Sequence, residues 1–115
     1  MFKQIAVAVM LGCLVSGSVF ADEDDENESR VDVLKESASH GNIRSQLELS
    51  SMYENGRIVA QNYKKALYWL HKAAKQNNTD AEFAIGRMYQ LGHGVPQDDQ
   101  QAAEWFAKSA AHRPS

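Results

Sequence analysis

One cysteine in 115 residues, Cys13, leaves no partner for an intrachain disulfide, so the fold must hold by packing alone. No apolar run reaches the roughly 20 residues that span a bilayer. The longest, Ile5 to Val15, is broken at Gly12 and followed by Ser16, Gly17 and Ser18. Beyond Glu28, nine acidic side chains face eleven Lys and Arg, so neither sign dominates enough to suggest nucleic acid. No serine with a paired base, carboxylate dyad or metal cluster assembles from spacing, and the chain is expected to be non-catalytic, with no cofactor and no metal. His40, His71, His93 and His112 are scattered through different elements without the helical pairing a metal site uses.

What is present begins with a leader. Residues 1–21, with Lys3, the apolar stretch and small residues before an acidic run, read as a signal peptide cleaved after Ala21. The expected location is the periplasm. A lipoprotein acylated at Cys13 is the minor alternative, since "MLGC" resembles a bacterial lipobox, and only then is membrane contact expected. Residues 22–30 open with "DEDDENES", six acidic side chains among its first seven residues. Such a run has nothing apolar to bury, and it is expected to be a disordered, solvated leader or a docking tail for a basic partner.

The remainder repeats itself. Trp69 and Trp105 stand 36 positions apart, as do Met52 and Met88, Tyr53 and Tyr89, Gly56 and Gly92, Ala66 and Ala102, and Lys72 and Lys108, with no gap. Upstream, residues 31–42 match only the second half of a unit, with Leu34 on Leu70 and Ala38 on Ala74. The expected division is a capping half-repeat helix at 31–42, a first repeat at 43–79 and a second at 80–115.

Each full unit reads as two helices and a corner. Leu49, Met52 and Tyr53, then Ala81, Ile85, Met88 and Tyr89, line the buried side of the first helices. Ala66, Trp69, Leu70 and Ala73, then Ala102, Trp105, Phe106 and Ser109, form the stripes of the second. Thr79 with Glu82 predicts a capping box. Mid-helix Gly86 predicts close helix approach, with Ser50 its small counterpart. "GHGVPQD" (92–98) carries no lysine and hydroxyl after its glycines, which excludes a phosphate loop. It predicts a corner instead, with Gly92 left-handed after one helix, Val95 folded inward, Asp98 capping the next helix and His93 solvated.

The pattern "A…IG..MY..GHGVPQD…AAEWF.KSA" over 81–110 resembles the Sel1-like repeat, a subclass of tetratricopeptide-like helical hairpins. The first copy departs from it at Ser50, Ile58, Ala60 and Asn62. The resemblance implies an all-α fold, a short right-handed solenoid of antiparallel helix hairpins with about two and a half repeats, and a role as adaptor or scaffold. By the same analogy a concave face on the first helices would bind a protein or peptide through Leu47, Ser51, Glu54, Asn55, Phe83, Arg87, Gln90 and Leu91. The last helix is apolar over much of its circumference, which predicts a second surface at Ala103, Phe106, Ala107, Ala110 and Ala111 for a homodimer or a partner. The expected function is a non-catalytic periplasmic protein-binding adaptor, and the alternative is an immunity protein that neutralises a secreted toxic effector.

Overall fold

The structure, a computed structural model, describes residues 27–113, and one compact unit begins at Val31. The described residues are all helix, turn and coil: α1 (27–39), α2 (Ile43–Asn55), α3 (Tyr63–Ala74), α4 (Thr79–Leu91) and α5 (Asp99–His112). Helices α2 and α3 make one antiparallel hairpin and α4 and α5 the next, while α3 against α4 joins the two. The result is a short all-α solenoid. The expected signal peptide and lipidation site lie outside the described residues. Residues 27–30 are helical rather than the disordered end of an acidic leader. Acidic side chains such as Glu28 suit the early part of a helix because they face its positive end.

Short polar side chains start every helix from α2 onward. The Oδ1 of Asn42 accepts from the Ser45 amide, Asn62 from Lys65, Asn78 from Ala81, and Asp98 from Gln101, at 2.9–3.1 Å. Each satisfies one donor that the first turn leaves unpaired. The predicted capping box at Thr79 is therefore corrected. Asn78 takes the cap, as its repeat partner Asn42 does, and Glu82 turns inward with no measurable exposure.

The corners obey one backbone plan. Gly56 (φ 70°) and Gly92 (φ 73°) end α2 and α4 in the left-handed conformation, their amides donating to Met52 O and Met88 O. The Asn62 amide then donates to Tyr53 O at 2.8 Å and that of Asp98 to Tyr89 O at 2.9 Å, closing each corner. Further into the turn the copies differ in residue but not in shape: Gly94 has φ 79° and Ile58 has φ 71°.

The core runs through all five helices, with Ala38, Leu49, Ala66, Leu70, Ala73, Ala81, Ile85 and Met88 almost wholly excluded from water. Trp69, Trp105 and Tyr89 pack against it only half-buried, with their rims in solvent, and Leu67 takes the place at the α3 seam. A methyl group on Gly86 would sit 2.6 Å from Phe106 Cε1, so the α4–α5 approach requires the missing side chain. The 92–98 corner is not merely solvated. His93 stacks on Tyr63 with centroids 4.3 Å apart, and a methyl on Gly94 would fall 2.9 Å from Leu67 Cδ1, so this corner packs on the start of α3.

Candidate protein-interaction surfaces

The two first helices carry eight side chains expected to bind. The helix period places them away from the buried stripes, and most are in solvent. Ser51, Asn55, Arg87 and Gln90 are exposed, Phe83 is 46% exposed and Leu91 is 54% exposed. Glu54 is half-buried. Leu47 is half-buried too and packs against the core, so it supports the fold as much as the surface. The Asn55 amide donates to Ser51 Oγ at 3.3 Å, and the Phe83 ring leans on Phe106 with centroids 5.0 Å apart. Phe83, Arg87 and Leu91 follow one another at i, i+4 and i+8, which puts an aromatic, a guanidinium and an aliphatic side chain along one exposed strip.

The second expected surface is the outer side of α5. Ala103, Ala107, Ala110 and Ala111 are exposed and Phe106 is half-buried. Their repeat partners on α3 differ in exposure. Leu67 (6% exposed) and Ala74 (8% exposed) are covered in a helix that the second repeat packs against, Leu67 beneath the 92–98 corner, whereas Ala103 and Ala110, in the same places on α5, are open.

The histidines serve the scaffold. His71 packs its edge against Trp105 at 5.5 Å, and burial first, then the charges of Lys75 and Lys108, holds it below the ordinary histidine range. His112 Nδ1 lies 2.7 Å from one Glu82 oxygen and 3.0 Å from the other. This pair escapes local sequence reasoning because Thr79 and Glu82 fit a capping box. The signal was in the 36-residue register, which sets Glu82 on Gln46 and His112 on Gln76. Gln76 Nε2 donates to Gln46 Oε1 at 3.3 Å, making the same link one repeat earlier. Among the described residues no three His, Cys, Asp or Glu side chains gather where a metal would bind, and no helix is long and apolar enough to cross a membrane.

Paired helices with a 36-residue register, left-handed corner glycines and a polar link within each unit are the geometry of a known repeat. The model of the Sel1 repeat matches residues 43–78 and 79–113. The chain belongs to the Sel1 repeat family. A Sel1 repeat protein from Oxalobacter formigenes is similar at 37% identity and a TM-score of 0.69, over 72% of this chain and 63% of that one. The c5321 protein of uropathogenic Escherichia coli, a protective antigen displaying an SLR fold, is similar at 38% identity and a TM-score of 0.68, over 70% of this chain and 17% of that one. Helicobacter pylori cysteine rich protein B shares the fold at 24% identity and a TM-score of 0.69, over 76% of this chain and 66% of that one. The chain thus spans less than two thirds of the length of each. No curated protein matches it. Sel1 repeats generally mediate protein–protein interaction as scaffolds, and the family is typically non-catalytic.

Proposed function

We propose that this Sel1 repeat protein is a non-catalytic adaptor of the bacterial periplasm, binding one protein partner through the exposed side of α2 and α4. The observation that carries this reading is the strip of Phe83, Arg87 and Leu91, whose apolar members stay open to water although the core beside them is closed. Aromatic and arginine side chains are the groups that supply most binding energy at interfaces. The periplasmic assignment rests on the leader sequence at 1–21.

A second surface is favoured by a separate observation. On α5 the places of Leu67 and Ala74 are open, so a further helix, from a second copy or from a partner, would lie there as α4 lies on α3.

Crosslinking in periplasm and envelope, with mass spectrometry of the captured protein, tests both surfaces. The intact protein is compared with Phe83→Ala/Arg87→Glu and with Ala107→Glu. A partner lost only in the first variant supports the α2–α4 strip, and its identity separates an adaptor from an immunity protein. Loss only with Ala107→Glu moves the interface to α5. Capture unchanged in both variants overturns the proposal.

A further inference from the structure

Every exposed position of α3 and its C-cap is a lysine except one: Lys64, Lys65, Lys72 and Lys75 lie around Tyr68, which is 54% exposed. No Asp or Glu occurs in the helix. Successive turns place Lys64, Tyr68, Lys72 and Lys75 on one face, opposite Ala66, Leu70 and Ala73, which pack into the core. Among the described residues none of these lysines has a carboxylate at ion-pair distance. The contacts they do make are with rings, Lys65 Nζ 5.5 Å from the Tyr53 centroid and Lys72 Nζ 5.3 Å from that of Tyr68.

The scaffold does not ask for this. The same five places on α5 hold Gln100, Gln101, Glu104, Lys108 and Ala111, and that helix folds equally well. Lys64 and Lys65 also stand in the first turn, where the helix dipole disfavours a cation, whereas Lys72, in the last turn and matched by Lys108, suits its place. Helices α4 and α5 follow the opposite rule, with Asp80, Glu82 and Asp99 in their first turns. A local rule broken without gain to the fold marks a place where function sets the residues.

We infer that the outer face of α3 is a docking site for an acidic segment of a partner protein, its carboxylates meeting Lys64, Lys65, Lys72 and Lys75 and one apolar side chain resting on Tyr68. The face runs from residue 64 to residue 75, about 16 Å at the helical rise, and an extended peptide of about five residues covers that length. The site lies on a different helix from the strip on α2 and α4 and does not depend on it.

The probes are three seven-residue peptides, EEELEEE, EEEGEEE and QQQLQQQ, titrated into the full chain at low salt and followed by amide NMR. The expected result is saturable binding of EEELEEE with shifts concentrated on α3, weakened about tenfold or more in Lys64→Gln/Lys72→Gln and unchanged in Lys108→Gln. Tyr68→Ala is expected to weaken EEELEEE several-fold and to leave EEEGEEE as it was. QQQLQQQ binding equally well, or EEELEEE failing to saturate by millimolar concentration, or affinity indifferent to the lysine variant, each overturns the inference. So does tighter, lysine-dependent binding of phosphatidylglycerol vesicles or single-stranded DNA, which would make the face a membrane or nucleic-acid contact.

Discussion

The two repeats solve one problem with different chemistry. Where the first ties its own two arms together through Gln46 and Gln76, two neutral amides 3.3 Å apart, the second uses Glu82 and His112, a wholly buried carboxylate and a ring nitrogen at 2.7 Å. The neutral link has a second anchor on each side, since Gln46 Nε2 donates to Ala38 O and Gln76 Nε2 to Gly41 O. For Glu82 the structure shows His112 as the side-chain partner, and His112 stands in the last turn of the last helix. The comparison teaches that a repeat conserves the place of a polar contact more strictly than its charge, and that the charged version is the more vulnerable.

Removing His112 breaks the comparison most severely. In His112→Ala the carboxylate stays inside without its partner, and removing one member of a buried pair costs far more than the pair contributes. His112 keeps a third of its side chain in water and sits at a helix end, so the expected loss is about 2–3 kcal/mol, somewhat below the range for fully buried pairs. Urea unfolding checks it. The double variant Glu82→Gln/His112→Gln copies the first repeat's link, and it is expected to recover most of the loss. A double variant as unstable as His112→Ala would show that the second repeat needs the charge itself.

The α4–α5 approach differs from the α2–α3 approach in the same manner. Gly86 faces Phe106, and the first repeat has Ser50 and Leu70 at the same places in the register, so the larger ring goes with the smaller neighbour. Gly86→Ala gains helix propensity but drives a methyl to 2.6 Å from the ring. Overpacking outweighs that gain, and a net destabilisation of about 1–2 kcal/mol is expected in the same unfolding measurement. Gly86→Ser with Phe106→Leu reproduces the first repeat and is expected to relieve the clash. Gly86→Ala without cost would mean that Phe106 has free room to turn aside.

Much of this was legible because the 36-residue register needs no gap. The apolar stripes, the left-handed Gly92, the cap at Asp98 and the close approach at Gly86 all follow from spacing within one helix or one corner. Glu82 was not legible that way: three residues after Thr79 it imitates a capping box, and its true partner lies 30 residues on. The setting of His93, expected to be solvated, was misread for the same reason, since its contact, Tyr63, belongs to the preceding hairpin. On the surface, the helix period found Phe83, Arg87 and Leu91, but a near-neutral charge total concealed α3. Summed charge says nothing of four lysines that share one face.

The smallest expected effect concerns the corner where the first repeat departs from its family. Ile58 adopts φ 71°, the conformation that Gly94 takes at φ 79° in the second copy. A β-branched residue there brings its side chain against the backbone, at a cost of about 1–2 kcal/mol relative to glycine. Ile58 is nearly half exposed, so little burial offsets the strain. Glycine in its place gives back part of the gain because it has more freedom to lose on folding. Ile58→Gly is therefore expected to stabilise the protein by roughly 0.5–1 kcal/mol, read as a higher urea midpoint at unchanged slope. A lower midpoint would mean that Ile58 contributes apolar contact worth more than its strain, and that the two corners differ in packing as well as in sequence.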